Sequence, residues 1–395
     1  MTAMRFVVGI GTISAFGDMV YEGAGSNIGP FLGHLGASAA VVGIVTGIGQ
    51  ALAYAFRLVS GPLIDRTHKP WPQTIIGYAL QMVCVPLLAI AGGVLPAAVL
   101  YNAERSGKAV RSPSRDTMLA HASSKIGRGK AFGLHEALDQ FGALLGPLFV
   151  AAVLALTGSI RTPFALLAIP AGVVMLLLFR LRRAVPDPSL YDLTARVSEK
   201  KRLRLGSDLP RRFWLYALFS AATMFGFATW PLLAFHLAAH HVVGPAIIPL
   251  LYALSGGAAA ISALLFGRLY DSVGLRGLLV LPFLSAAIPF LSFASTILAV
   301  TAGAILWGVV MGVHESTLSA AVADLVPAHR LGTGYGVFTS CYGLSWLGGA
   351  AIIGVLYEHG LHAVVAYVLA VQAVALLCCV PLFRSTRHPS SSKVV

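Results

Sequence analysis

The chain has 395 residues, of which 57% are hydrophobic and only 11% are charged, with a formal net charge of +13. This balance excludes an ordinary soluble domain. Apolar stretches of about 20 residues, long enough to cross a ~30 Å hydrocarbon core, recur along the whole length. Because backbone polar groups inside lipid must be satisfied within the segment, the composition predicts an all-α integral membrane protein.

Twelve membrane spans are predicted in chain order. They lie near residues 6–32, 38–64, 72–92, 94–117, 131–157, 163–183, 213–237, 244–270, 276–295, 297–322, 333–356 and 362–383. Positive charge falls in alternate connections between the spans, which predicts an inner-membrane protein with both termini in the cytoplasm. The charge is therefore explained by topology, and nucleic-acid binding is not needed to explain it. The cationic residues of those connections are Arg66, Lys69, Lys125, Arg128, Lys130, Arg268, Arg276 and Arg330.

A polar stretch in the middle divides the chain into two halves. We predict an N-terminal six-helix bundle over residues 1–183, a basic cytoplasmic linker over 184–211, a C-terminal six-helix bundle over 212–384 and a cytoplasmic tail over 385–395. The chain has no phosphate-binding loop and no dinucleotide fingerprint, so we expect no cofactor and no ATP-driven pump. Its four cysteines lie in apolar spans without metal-ligand spacing, and no metal site is predicted from them.

One short phrase occurs twice, in equivalent places of the two halves. The residues Gly61 to Arg66 and Gly267 to Ser272 share the pattern Gly-x-x-x-Asp, and each follows a long apolar segment. Such internal repetition indicates two similar halves. Together with twelve spans and a central basic loop, the phrase resembles the signature loop of the major facilitator superfamily, with His68 in place of its usual glycine. The resemblance covers the whole chain and implies two pseudo-symmetric six-helix bundles that work by alternating access.

The resemblance also suggests which residues move. Asp65 and Asp271 would latch the inner gate, with partners near Gly332–Gly334 and near Gly129 respectively, although plain structural turns remain the alternative. The stretch from Gly142 to Pro147 resembles the glycine-proline motif associated with antiporters. The run from Glu104 to Arg111 departs from the usual fourth-span motif and resembles a poorly characterised prokaryotic branch. The predicted gating residues are Gly61, Asp65, Arg66, Gly142, Gly146, Pro147, Gly267 and Asp271.

Ionisable side chains inside the spans are candidates for chemistry, because each costs at least ~2.5 kcal/mol on insertion scales. Asp18, Glu22, Glu104 and Asp139 are predicted to couple transport to protons or ions. The alternative is a structural ion-pair network, which we expect to explain Arg111 and Arg115 near the cytoplasmic surface. The predicted substrate-binding residues are Tyr21, Arg57, Arg105, Lys108, His135, Trp230, His314, Glu315 and Tyr342, with either His314 or Glu315 facing the cavity.

The doubled phrase aligns the halves, and the buried charges of the first half have no counterparts in the second. Phe225 stands opposite Asp18, Trp307 opposite Glu104 and Tyr342 opposite Asp139. We therefore expect coupling in the N-terminal half and an apolar, aromatic wall in the C-terminal half. Each aromatic taken singly is more often a packing or lipid-facing residue. The predicted wall residues are Phe225, Trp230, Trp307, Tyr342 and Trp346.

These observations predict a monomeric secondary transporter, a proton-coupled antiporter that exports a small amphiphilic or anionic solute. Its partners would be that solute, protons and membrane lipids, with no nucleic acid. Uptake by symport, metal-ion export and lipid transport remain open, as does a transporter-like sensor or membrane enzyme. An enzyme needs a nucleophile beside a base or a metal triad. The nearest pair, His135 and Asp139, lacks a nucleophile, so we expect no enzyme.

Overall fold

The computed structural model describes residues 1–67, 69–191, 209–327 and 330–384, and within these ranges it contains helices and no strand. The predicted all-α fold is confirmed. Fourteen helices follow one another, with short 3₁₀ turns after α3, α7 and α10. They are α1 (Ala3–His34), α2 (Ala39–Thr67), α3 (Pro70–Leu87), α4 (Val94–Ser123), α5 (Arg128–Thr157), α6 (Thr162–Leu166), α7 (Ala168–Ala184), α8 (Arg211–Phe225), α9 (Trp230–Ala239), α10 (Ile247–Val273), α11 (Val280–Ser292), α12 (Ile297–Leu325), α13 (Leu331–Glu358) and α14 (Leu361–Arg384).

The described residues contain 10 helical segments that are long and apolar enough to cross a membrane, so the chain is a multi-pass membrane protein. The count of twelve crossings stays a prediction. One segment, Ile247–Ser292, has 46 residues, more than a single crossing needs, and contains both α10 and α11. Helix α4 is not among the 10, because its central turns carry Glu104, Arg105, Lys108 and Arg111.

Two predicted spans are interrupted and one is longer than expected. The seventh span breaks between Phe225 and Trp230, where Thr229 has extended backbone angles (φ −80°, ψ 147°). The sixth span consists of α6 and α7. Helix α4 continues to Ser123, beyond the predicted limit at residue 117.

Each half has its own apolar core. One cluster of buried side chains runs from Ala3 to Tyr191, and the other is formed by residues 209–379 together with Ala39. The domain limits proposed from the sequence stay predictions, and residues 192–208 of the linker and 385–395 of the tail lie outside the described ranges.

We call the face of the bundle that holds the connection from α1 to α2 the opposite face, and the face at which α1 begins the terminal face. Near the opposite face the halves touch through glycines. A β-carbon added at Gly29 would lie 1.9 Å from the carbonyl oxygen of Pro231, and one at Gly43 would lie 2.2 Å from that of Ala350. The backbone N–H of Ala40 also donates to Glu358 Oε1 across the halves at 3.0 Å.

The terminal face lacks such contacts at the described glycines. A β-carbon added at Gly129, Gly133 or Gly267 would meet nothing within 4 Å. Glu315 on α12 is exposed, although its neighbour His314 is buried. As far as the described side chains show, the halves are therefore closed at the opposite face and parted towards the terminal face.

Glycines also bring helices together inside each half. A β-carbon at Gly142 would lie 1.9 Å from the carbonyl oxygen of Ala15, and one at Gly146 would lie 2.3 Å from that of Met19. Gly142 and Gly146 therefore form a close packing seam between α5 and α1. In the second half Gly349 of α13 stands equally close to α8, since its β-carbon would lie 2.3 Å from the carbonyl oxygen of Phe225. The repeat seen in sequence is thus also a repeat of helix packing.

Candidate functional site

Arg111 is the centre of a buried polar network in the first half. Its side chain is fully buried, and Nη2 lies 2.8 Å from Asp18 Oδ1 on α1. Nη1 donates to the Tyr78 hydroxyl at 3.0 Å, and Nε donates to Gln81 Oε1. Helix α3 can come this close because Gly77 has no side chain: a β-carbon there would lie 2.7 Å from the backbone nitrogen of Arg111. The guanidinium is therefore held by three partners from two helices.

The network extends from Arg111 in two directions. Gln81 Nε2 donates to Glu104 Oε1 at 2.9 Å. On the other side, the hydroxyls of Tyr78 and Ser14 are 3.0 Å apart, and His135 Nε2 lies 3.0 Å from Ser14 Oγ. We call the connected residues the Arg111 network: Ser14, Asp18, Tyr78, Gln81, Glu104, Arg111, Arg115, His135 and Asp139.

Arg111 and Arg115 both form ion pairs, as expected for a structural network, and their position near the cytoplasmic surface stays a prediction. Arg111 is fully buried against Asp18, and Arg115 Nη1 lies 3.5 Å from Asp139 Oδ2 within the same network. Both residues stand well before the end of α4 at Ser123, at about 1.5 Å of helix per residue. Buried carboxylates require cationic partners, and α4 supplies these cations from one face.

Glu22 lies outside this network, in the space between the halves. Its Oε2 accepts a 2.7 Å hydrogen bond from the Tyr252 hydroxyl on α10, in the second half. Its Oε1 is 4.0 Å from Lys108 Nζ on α4, at the outer limit of an ion pair. The side chains of Glu22 and Lys108 are 20% and 21% exposed, so water reaches both. Glu22 is thus a half-buried carboxylate that contacts both halves.

Arg105 lies beside Glu22 with incomplete hydrogen bonding. Its guanidinium packs over the Tyr21 ring at 4.0 Å and over the Tyr101 ring at 4.8 Å. Nε lies 3.4 Å from Glu104 Oε2, but among the described residues it has no hydrogen-bond partner. Nη1 donates to Gln50 Oε1 at a long 3.5 Å. A buried guanidinium with an unpaired N–H can bind an anionic group of a ligand.

The second half faces this group with aromatic rings. Trp230, Tyr252 and Trp307 form a triangle with ring centroids 5.0 to 6.1 Å apart. Phe227 links this triangle to a second group, since its ring lies 5.8 Å from Trp307 and 6.4 Å from Trp346. Trp230 also donates from Nε1 to the Ser26 carbonyl across the halves at 3.2 Å. Phe225, the fifth predicted wall residue, packs instead against Tyr367 of α14.

His314 and Glu315 occupy different environments. His314 is buried between the rings of Phe227 and Tyr342, and neither ring nitrogen has a hydrogen-bond partner among the described residues. Glu315 is exposed and close enough to Glu22 and Lys108 for an electrostatic interaction. Of the two, Glu315 faces the open space and His314 lies behind it.

The remaining predicted site residues do not join these groups. Arg57 is exposed and lies over the Tyr54 ring at 5.7 Å, and Tyr54 contacts Tyr342 across the halves. The side chains of Gly61, Asp65 and Arg66 lie outside the described part of the structure. Asp271 is an exposed residue near the end of α10. Pro147 is buried in α5, next to the glycine seam.

One cluster offers atoms that a metal could use. The ligand atoms of His135, Glu136 and Asp139 lie within 4.8 Å of one another on α5. However, His135 Nε2 is already bonded to Ser14 and Asp139 stands beside Arg115, whose charge opposes a bound cation. The donor set fits a metal ion poorly.

Sequence reasoning missed Tyr252, Gln81, Tyr78 and Phe227. A tyrosine or glutamine in an apolar span gives no charge signal, and the partners come from other helices. The one available signal was the i to i+3 spacing of Tyr78 and Gln81, which places both polar side chains on one face of α3.

Comparison with known proteins gives the family. The family model described as the Major Facilitator Superfamily matches residues 7–350 and 215–394. An uncharacterised protein of Mycobacterium tuberculosis is 45% identical over 378 residues, which cover 95% of this chain and 92% of the relative. An uncharacterised MFS-type transporter of Methanocaldococcus jannaschii is 26% identical over 363 residues, which cover 88% and 87% of the two chains.

Solved structures agree on the fold. A bacterial homologue of the human lysosomal transporter Spinster, in an inward-facing and occupied conformation, superposes with a TM-score of 0.75 at 15% identity, covering 96% of this chain and 97% of that one. The nucleoside transporter NupG superposes with a TM-score of 0.71 at 12% identity, covering 97% and 100%. With a whole-chain family match and this fold, the chain belongs to the Major Facilitator Superfamily and is a membrane transporter.

Proposed function

We propose that the protein is a proton-coupled antiporter that exports a small amphiphilic or anionic organic solute by alternating access. In this proposal Glu22 exchanges the proton and Arg105 with Lys108 attracts the anionic part of the solute. The aromatic wall of the second half contacts its apolar part. The terminal face would be cytoplasmic, as the distribution of positive charge predicts, so the solute would enter from the cytoplasm in the conformation described here.

The single observation that carries this proposal is the position of Glu22. It is accessible to water, it touches Lys108 only at 4.0 Å, and Tyr252 of the other half donates to it at 2.7 Å. A proton on Glu22 would remove the charge that attracts both partners. Protonation and the contact between the halves are therefore linked at one side chain, which is what coupling requires.

The Arg111 network has a different part in the proposal. Asp18 and Arg111 are paired at 2.8 Å and excluded from water. Breaking such a pair leaves a buried charge, so we assign it mainly to holding α1, α3 and α4 together. Glu104 and Asp139 stand at its two ends and remain candidates for passing protons onward.

The direction of transport rests on the seam between α1 and α5. The glycines of the Gly142–Pro147 motif bring α5 against α1 with no room for a β-carbon at Gly142. The motif resembles that of antiporters, and antiport is proposed on this ground. The latch at Asp65 and Asp271 would close the terminal face in the other conformation.

The test is solute-driven proton movement in proteoliposomes that contain a trapped pH indicator. Benzoate, benzamide and benzylamine share a ring but are anionic, neutral and cationic. An outward-directed gradient of benzoate should move protons in the antiport direction at a rate that depends on the protein, and benzylamine should not. Proton movement with benzylamine but not with benzoate would contradict the proposed charge of the solute. Chemical conversion of a probe without proton movement would indicate an enzyme.

Metal-ion export is the second candidate, because His135, Glu136 and Asp139 bring three ligand atoms within 4.8 Å. It predicts that Mn²⁺ or Zn²⁺ gradients drive proton movement and that Glu136→Gln abolishes the effect. The neighbouring Arg115 makes this candidate the weaker one. If Glu136→Gln leaves benzoate-driven proton flux intact, the carboxylate of Glu136 is not part of the transport site.

A further inference from the structure

A cavity lies away from the Glu22 group, near the opposite face. It has a volume of about 630 Å³, within the range of small-molecule sites, and it lies between the halves. The first half lines it from α1, α5 and the connection after α5, and the second half from α9 to the start of α10. A ligand here would contact both halves at once.

The floor of this cavity has an unsatisfied donor. Asn27 lines the cavity and is 1% exposed, yet its side-chain nitrogen Nδ2 has no hydrogen-bond partner among the described residues. An unpaired buried donor costs about 1–3 kcal/mol, so such groups are normally found with a partner. A ligand that offers an acceptor would remove this cost.

The described residues at the mouth of the cavity include two imidazoles and one guanidinium. His34 and His241 line it and are exposed, and Arg161 lies between mouth and interior. Arg161 is held in place because its Nη1 donates to the carbonyls of Ala89 and Ala91, both at 2.9 Å. No Asp or Glu is among the described residues that line the cavity. The mouth therefore favours a negative group.

Between mouth and floor the walls are largely apolar, with Leu154, Phe235 and Ile248 among them. His34 and Asn27 are on the same helix, about 10 Å apart along its axis at 1.5 Å per residue. His241 keeps a left-handed backbone (φ 51°), which is uncommon for a residue other than glycine and places strain beside this cavity. The cavity thus offers an anion-favouring end, an apolar middle and a hydrogen-bond donor at the far end.

We propose that this cavity binds a short carboxylate with an apolar chain and a hydrogen-bond acceptor at its far end, and that the ligand bridges the two halves. The carboxylate lies beside Arg161 and the acceptor receives the hydrogen bond of Asn27 Nδ2. The site is separate from the transport site at Glu22 and does not depend on the proposed antiport. Its occupant is a free solute, because a volume of about 630 Å³ accepts a short chain whole.

The test compares three probes of similar length by calorimetric titration of the purified full chain in phosphatidylcholine nanodiscs. 6-Hydroxyhexanoate should bind best, hexanoate should bind more weakly because it lacks the acceptor, and 1,6-hexanediol should bind least because it lacks the charge. Removing a hydrogen bond of this kind should weaken binding about tenfold. Equal affinities for the three probes would overturn the proposal.

Variants locate the site on both halves. Asn27→Leu should remove the preference for 6-hydroxyhexanoate over hexanoate, while the same substitution at Asn102, which bonds to the Ala98 carbonyl outside the cavity, should preserve it. His241→Asn tolerates the left-handed backbone and should weaken binding from the second half. If Asn27→Leu does not fold, Asn27→Ala provides the same test, because it removes the amide donor with a smaller side chain.

Three results would overturn the proposal. One is a preference unchanged by both Asn27 variants, and another is loss of binding in Asn102→Leu with retention in Asn27→Leu. The third is competition by phosphatidylglycerol at high salt, where the surface charge of this anionic lipid is screened: if adding it to the nanodiscs then weakens probe binding severalfold, the occupant is a lipid headgroup. Unchanged binding in its presence supports a free solute.

Discussion

At the scale of single residues, the first half separates two kinds of buried charge. Arg111 and Asp18 are excluded from water, and every guanidinium nitrogen of Arg111 has a partner. Glu22 is partly open to water and shared between Lys108 and Tyr252. A satisfied, closed pair resists change, whereas a loosely paired, accessible carboxylate can change its charge during a cycle.

The Arg111 pair predicts a large stability effect. Arg111→Met should lower the free energy of unfolding by about 3–5 kcal/mol, because it leaves Asp18 buried without a partner. Adding Asp18→Asn should recover part of the loss, since the unpaired charge is then gone. Thermal or denaturant unfolding in detergent measures both.

Arg182→Met serves as the matched control for this prediction, since Arg182 is exposed at the end of α7 and should change stability by less than about 0.5 kcal/mol. A double variant less stable than Arg111→Met alone would contradict the structural role of the pair. The same reasoning makes Asp18→Asn an ambiguous test of coupling, because lost transport could follow from lost packing.

Tyr252 predicts a functional effect without a packing change. Tyr252→Phe removes the hydroxyl that donates to Glu22 but keeps the ring against Trp230 and Trp307. A hydrogen bond to a charged group is worth about 1.5–3 kcal/mol, so the solute-driven proton flux should fall by about tenfold or more. Tyr270→Phe, which loses a hydroxyl bond to Asp324 elsewhere on α10, should keep most of the flux. An equal loss of proton flux in both variants would contradict the proposed role of the Tyr252 hydroxyl.

At the scale of helices, small residues determine which elements touch. Gly142 and Gly146 bring α5 onto α1, and Gly77 brings α3 onto α4, so the polar groups of four helices meet in one network. Glycine in a helix loses more backbone entropy on folding than other residues do. The close helix contacts that these glycines allow offset this cost.

The seam predicts opposite effects for the same substitution on one helix. Gly142→Ala should destabilise the protein by about 1–3 kcal/mol, because its β-carbon would lie 1.9 Å from the Ala15 carbonyl oxygen. Gly133→Ala, also on α5, meets nothing within 4 Å and should be neutral or stabilising by up to about 1 kcal/mol. Unfolding midpoints of the two variants give the comparison. Equal shifts would contradict the close contact.

The sequence could predict some of these elements and not others. The glycine-proline motif marked α5 as a tightly packed helix, and the charged positions of α4 were visible at helical spacing. The pairing of Arg111 with Asp18 was not visible, because the two residues are 93 positions apart in the sequence and belong to different helices. Tyr252 was not identifiable either, since an uncharged ring in an apolar helix has meaning only beside Glu22, which belongs to the other half.

At the scale of the whole molecule, the two halves share a fold but divide the chemistry. The first half contains the ion pairs, the second presents aromatic rings, and the described contacts between them concentrate at the opposite face. Alternating access requires these contacts to break when the terminal face closes. The glycines at the opposite face should therefore favour the conformation in which this face is closed.

This asymmetry predicts a conformational shift. Gly43→Val places a branched side chain where a β-carbon would lie 2.2 Å from the Ala350 carbonyl oxygen, so the opposite face should open. Distances between spin labels on the two halves at the opposite face should lengthen in this variant, while Gly172→Val, at a glycine with nothing within 4 Å, should leave them unchanged. Unchanged distances in Gly43→Val would contradict a closed opposite face.

The central claim is that Glu22 links proton binding to the movement of the halves. Its most direct test measures two activities of Glu22→Gln in the same proteoliposomes, using benzoate: accumulation driven by a proton gradient, and exchange of labelled for unlabelled benzoate without a gradient. We predict that the variant loses gradient-driven accumulation and keeps exchange, while Glu136→Gln keeps both. Gradient-driven accumulation at the unmodified rate in Glu22→Gln would contradict the account.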